Sequence, residues 1–182
     1  MNQREKLTKL LLKQSLIRLL NEKNISQISV KELCTAAGIN RSTFYLHYAN
    51  AYELLDNVER EIMDNTREYL GKIELGDNIT YITAFLDYIK KNHDLFALML
   101  FKSHDQPSFA QRLTNEVLMS IDRYVHITVP ESMKRYTYAY LVNGSLAIIQ
   151  EWIRDEFTMS SKVLAQLIFT LANHCLIPFE SK

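Results

Sequence analysis

Four glycines and three prolines in 182 residues leave this chain few of the residues from which tight turns are built. Average usage is about 7% glycine and 5% proline, and hairpin-rich all-β folds draw heavily on glycine at positions of positive φ. The glycines stand at Gly38, Gly71, Gly76 and Gly144, so neither GxGxxG nor GxxxxGK[ST] can be written from them. Gly-rich phosphate loops are therefore excluded. With 47% hydrophobic and 23% charged residues there is ample material for a soluble core. The expected fold class is all-α.

A net charge of zero conceals an asymmetry. Residues 1–50 carry eight basic residues (Arg4, Lys6, Lys9, Lys13, Arg18, Lys23, Lys31, Arg41) against three acids (Glu5, Glu22, Glu32), a balance of +5, and the remainder carries −5. Either the first helix is simply solvated and charged, or this end meets a polyanion. Cys34 and Cys175 fall on apolar helical stripes and read as buried reduced thiols rather than a disulfide. The N-terminus has no apolar signal core. The longest uncharged run, 163–179, is interrupted by Gln, Thr, Asn, His and Pro and falls short of the ~20 apolar residues of a membrane span. A cytoplasmic protein without membrane contact is expected.

Apolar spacing predicts a first helix over 4–22, with Leu7, Leu10, Leu11, Leu16, Ile17, Leu19 and Leu20 on one broad stripe. Asn24 suits the left-handed position after it. Ser29-Val30-Lys31-Glu32 is a capping box that opens a helix to Ala37, where Gly38 can take positive φ. Asn40 is expected to cap a third helix, Arg41–Tyr48, and Asn50 a fourth that runs to Leu70. Short helix, glycine turn, short helix outlines a helix-turn-helix. Ile39, Phe44 and Tyr48 can pack inward, which leaves Arg41, Ser42, Thr43, Tyr45 and His47 to point elsewhere.

Gly71–Gly76 reads as a break, and helices follow near 78–92, 93–103, 107–126, 130–156 and 160–177. Thr128–Glu131 resembles another capping box. The helix 130–156 is apolar on two faces, and 160–177 nearly all round, so both are expected to be buried on every side. In so small a chain that points to a second subunit, through Tyr140, Leu141, Gly144 and Ile148 on one helix and Leu164, Leu167, Ile168 and Leu171 on the other. Tyr81, Phe85, Tyr88, Phe96, Met99, Phe109, Met119 and Tyr124 either line an apolar pocket or form an aromatic-rich core. His93, His104, His126 and His174 lack metal-ligand spacing, and no catalytic grouping can be assembled. No cofactor, metal site or enzymatic activity is expected.

Over 29–55 the sequence SVKELCTAAGINRSTFYLHYANAYELL resembles the DNA-binding domain of the TetR family of bacterial transcriptional regulators, and the likeness extends over roughly residues 4–60. The resemblance implies an N-terminal three-helix domain (1–50) that binds double-stranded DNA at a pseudo-palindromic operator. It implies a helical body (51–182, with helix 51–70 as connector) that binds a small effector and forms a homodimer. By this resemblance Arg41, Ser42 and Thr43 read base edges, and Tyr45 and His47 contact phosphates. Ser29 and Lys31 place a helix N-terminus and a positive charge near another phosphate. Many members have Lys where this chain has Ala51, so Ala51→Lys is expected to add a phosphate contact. The function implied is a repressor released by a small molecule. The alternatives are a co-activator of the same fold that works through a partner protein, or an unrelated helical binding module.

Overall fold

The computed structural model describes residues 3–72, 78–101, 109–124 and 129–176, with side chains only as far as Met119 in the third stretch. Among them every regular element is helical: α1 (Gln3–Glu22), a 3₁₀ turn (Ile25–Gln27), α2 (Val30–Ala37), α3 (Arg41–Tyr45), α4 (Ala51–Lys72), α5 (Asn78–Lys91), α6 (His93–Phe101), α7 (Phe109–Tyr124), α8 (Glu131–Arg154) and α9 (Ser161–Leu176). The chain divides into two compact units, Met1–Ile62 and Met63–Lys182, with the division inside α4. Gly71 is helical, whereas Gly76, His104, His126 and Thr128, with the readings attached to them, lie outside the described residues.

The first unit is built by local signals. Ser29 accepts from the Glu32 amide at 3.2 Å, and Glu32 Oε2 accepts from the Ser29 amide at 2.9 Å, which closes the capping box. Gly38 ends α2 at φ 64°, a conformation that a side chain would disfavour. Asn50 Oδ1 accepts from the Glu53 amide at 3.0 Å and Glu53 accepts from the Ala49 amide at 2.6 Å, a second reciprocal cap at the start of α4. Leu12, Leu16, Leu33, Phe44, Val58 and Ile62 fill the core.

Four expectations are corrected here. Leu7 and Leu10 are exposed while Leu12 is fully buried, because α1 packs on α2 through the face of Leu12, Ser15 and Leu16. Asn24 sits at φ −69°, since its role is to start the 3₁₀ turn, where its amide donates to Gln27 Oε1 at 3.2 Å. α3 ends at Tyr45, as Leu46 to Tyr48 close by short-range bonds such as His47 N–H to Phe44 O at 2.9 Å. Asn40 precedes α3 in extended conformation without a side-chain capping bond.

In the second unit α5 packs along α9, and α7 and α8 pack together. The α8–α9 turn is pinned by Trp152, whose Nε1 donates to the Met159 carbonyl at 2.7 Å and whose ring meets Phe157 edge-on at 4.7 Å. These contacts hold Glu156 and Phe157 at φ 51° and 61°, a left-handed pair unusual for residues with side chains. Cys34 and Cys175 are both free thiols, the first buried and the second half-buried.

Candidate nucleic-acid interface and body cavity

α3 is one and a half turns long and cannot persist alone. Phe44, fully buried, is its root. The Tyr45 ring meets Phe44 edge-on at 5.6 Å and the Tyr48 ring lies 5.8 Å from Phe44, so one anchor orients both tyrosines. They then diverge. Tyr48 is buried, with its hydroxyl donating to Asn57 Oδ1 at 3.3 Å, whereas Tyr45 is 57% exposed. Burial pushes the Tyr48 phenol up, so it stays protonated. Arg41 and Ser42 are exposed, and Thr43 and His47 are half-buried. The expected reading residues therefore reach the surface around a rigid hydrophobic root.

Lys31 is exposed at the start of α2. Ser29 is exposed too, but both its amide and its hydroxyl donate to Glu32 Oε2, at 2.9 and 2.8 Å. In this state it offers no spare donor, and a phosphate at this end of α2 is left to Lys31 and the first-turn amides. Glu32 also pairs with Lys23, and the Lys23 ammonium, with Ser29, holds its carboxyl down at about 2.

Much of the N-terminal charge is spent internally. Lys9 pairs with Glu5 at 2.8 Å and Lys13 with Glu61 at 2.9 Å. The acids of residues 51–62 reduce the balance of the first unit to nine basic against seven acidic residues. Lys31 and Arg41 are both exposed on this nearly balanced unit. One exposed side chain escaped sequence reasoning: Leu46, 80% exposed, directly follows Tyr45. Its signal was weak, because a lone leucine after a short helix looks like core. Ala51 is only 5% exposed, so the expected benefit of a lysine there is withdrawn: the site faces the core of the first unit.

The second unit holds a partly open cavity of about 250 Å³ bounded by the end of α4 and by α5 to α9. Phe85 and Phe96 line it, as the sequence suggested. Tyr81, Tyr88, Met99, Phe109 and Met119 do not. Met99 and Phe109 are committed to core packing, Tyr88 Oη accepts from Asn65 at 3.0 Å, and Met119 is 68% exposed. The Tyr124 side chain lies outside the described residues. Missed were the aliphatic walls, such as Ile82, Leu86, Ile89 and Val142, which nothing distinguishes from ordinary core in a sequence.

Residues expected between subunits separate into two groups. Leu141 and Ile168 line the cavity, and Leu164 and Ile168 are already buried inside the single chain, which corrects their placement at a surface. Tyr140, Leu167 and Leu171 are exposed, in line with Tyr136 on α8 and Val163 on α9. Ile148 is half-buried, and a Cβ on Gly144 would meet no atom within 4 Å. Among the described residues no three His, Cys, Asp or Glu side chains gather as metal ligands, and no helix is long and apolar enough to cross a membrane.

A compact helix-turn-helix with an exposed Arg41–Tyr45 surface, followed by a helical body that holds a cavity, is the fold of a helical DNA-binding regulator. Comparison with known proteins gives the family. The profile described as "Transcriptional regulator C-terminal region" matches residues 77–174, and that of "Bacterial regulatory proteins, tetR family" matches residues 15–58. The chain belongs to the TetR family of transcriptional regulators, which are DNA-binding proteins and not enzymes. It is 20% identical over 172 residues to the uncharacterized HTH-type transcriptional regulator YxbF of Bacillus subtilis, covering 88% of this chain but only 43% of that one. A TetR transcriptional regulator from Streptococcus agalactiae shares the fold, with a TM-score of 0.67 at 22% identity over 93% of this chain and 95% of that one. The dihydroxyacetone kinase operon activator DhaS does so with a TM-score of 0.61 at 20% identity, over 96% and 98%. Family membership sets aside the reading as an unrelated helical module.

Proposed function

We propose that this regulator is a cytoplasmic repressor that binds a pseudo-palindromic operator as a homodimer and leaves it when a small molecule fills the body cavity. The observation that carries the reading is the pairing, in one chain, of the exposed Arg41–Tyr45 surface with the largely apolar, partly open cavity. Arg41 suits a guanine edge, which it can bond bidentately, while Lys31, Tyr45 and His47 suit phosphate oxygens. Exposed Leu46 adds an apolar group for a thymine methyl.

The dimer reading is supported by the unpartnered apolar rows Tyr136–Tyr140 on α8 and Val163–Leu167–Leu171 on α9, with open space at Gly144 for a close approach. A two-fold dimer reads half-sites about one helical turn apart, roughly 10 base pairs, or a multiple of it. The effector acts only by binding the DNA-incompetent arrangement more tightly.

Fluorescence anisotropy with DNA from upstream of the protein's own operon tests this. Specific binding that falls steeply with salt is expected, because phosphate neutralisation releases counterions. Binding that appears only when a partner protein is added would replace repression by co-activation. No duplex affinity under any condition would sink both readings.

A further inference from the structure

The chemistry of the cavity wall restricts what can occupy it. Leu86, Ile89, Phe96, Leu113, Val142 and Ile149 line it and are buried. Among the described lining residues none is charged, and the polar ones are Asn78, Thr114, Ser145 and Asn173. Asn173, in the last turns of α9, is exposed and so belongs to the opening, whereas Asn78, Thr114 and Ser145 are half-buried. Among the described residues the cavity is thus a largely apolar chamber whose few polar groups are neutral, with Asn173 at its mouth.

An ionised group carried into such a chamber would lose its hydration without meeting a counter-charge, a large cost. A carboxamide both donates and accepts, so it matches a hydroxyl, carbonyl or amide and favours neither sign of charge. Volume limits size as well. A cavity of ~150 Å³ lined by Leu, Ile and Phe holds benzene, so in proportion about 250 Å³ holds roughly ten non-hydrogen atoms.

We propose that the ligand of this cavity is a neutral, mainly hydrocarbon molecule of about ten non-hydrogen atoms that carries one hydrogen-bonding group, an alcohol, ketone or amide, held at the mouth by Asn173. The proposal rests on the reading of the cavity as the effector site and assigns that site a ligand class. Among the described residues the same wall offers no counter-charge to carboxylates, amines or phosphate-bearing ligands.

The test uses the full chain and three probes of about ten non-hydrogen atoms each, 1-nonanol, octanoate and nonylammonium, titrated calorimetrically at pH 7. Nonanol is expected to bind one per chain, at least tenfold more tightly than either ion. Ala172→Phe, which narrows the cavity, should abolish nonanol binding. Because that variant could fail to fold, Asn173→Asp provides a second arm: it changes one exposed amide to a carboxylate of equal size. It should improve nonylammonium binding and weaken octanoate binding relative to wild type. Octanoate or nonylammonium binding as tightly as nonanol, unmoved ratios in Asn173→Asp, or no binding of any of the three would overturn the ligand class. Nonanol bound as expected but without effect on operator affinity would support the class and instead refute the effector reading.

Discussion

Arg67 and Glu116 are joined by two parallel hydrogen bonds, Nε to Oε1 at 2.6 Å and Nη2 to Oε2 at 2.8 Å, which tie α4 to α7 within the second unit. Arg67 also reaches Asp64 at 2.7 Å, and the Glu116 carboxylate raises its already high pKa. The fork-to-fork geometry fixes direction as well as distance. α7 supplies Leu113, Thr114 and Val117 to the cavity wall, and α4 is the helix that continues from the first unit.

Glu116→Gln is therefore expected to leave the fold intact, since partly exposed ion pairs contribute only about 0–1 kcal/mol. It should instead weaken the coupling between ligand and operator, by an amount on the order of 0.5–2 kcal/mol. Operator affinity measured with and without nonanol gives this coupling. An unchanged ratio would show that α7 does not signal through Arg67.

Substitutions on the reading surface should fail in different ways. Arg41→Ala should cost about 1–3 kcal/mol on the operator and relax specificity at one position per half-site. Lys31→Ala should weaken operator and unrelated DNA alike and flatten the log K versus log salt slope by roughly 1.8 per dimer, one contact in each subunit. Tyr45→Phe should also act uniformly on all sequences. Anisotropy on both DNAs at several salt concentrations separates the three.

Two leucines on one helix should separate assembly from folding. Leu167 is 39% exposed and Leu164 is buried. Leu167→Glu should yield a folded monomer by sedimentation with unaltered helical circular dichroism. Leu164→Glu places a carboxylate in the core of the single chain, which is severely destabilising, and should unfold the second unit. Dimers persisting in Leu167→Glu would move the interface off this face of α9.

The capping carboxylate of α2 gives the first unit a pH dependence of definite sign. Glu32 is held at about 2 in the folded protein against an ordinary value of 4.5, chiefly by Lys23 and then by Ser29. The unfolded chain therefore takes up the proton first, and the stability contributed is fully present above 4.5 and lost as pH falls towards 2. Compared with Glu32→Gln, the wild type should be more stable at pH 7, and the gap should close below pH 4.5. Thermal melts of both proteins at stepped pH values would show it.

Ala51→Lys should destabilise rather than strengthen DNA binding. Larger side chains at a packed site typically cost 1–3 kcal/mol, and Ala51 is buried in the core of the first unit. A lower melting temperature with an unchanged salt slope is the expected result.

Much of this protein was legible because its signals are local. The caps at Ser29 and Asn50, the positive φ at Gly38, the end of α1, the start of α4 and, to within two residues, the bounds of α8 follow from residues within four positions of one another, and the structure reproduces them. The burial of Phe44 is local too, since a helix this short has only one face to hide, and Tyr48 is buried in the turn that follows it.

The sequence alone determined the fold class, the helix-turn-helix and the family, because each depends on short-range chemistry and spacing. Tertiary structure decided which of several apolar faces points where. A run such as Leu10-Leu11-Leu12 can bury more than one face of α1, and packing on α2 selects Leu12. Along α9, Leu164 and Ile168 turn inward while Leu167 and Leu171 turn outward, although all four are apolar. The cavity is likewise an unfilled volume between helices distant in sequence. A residue is apolar by its own chemistry, but whether it fills a core, lines a void or waits for a partner depends on what the rest of the chain places against it.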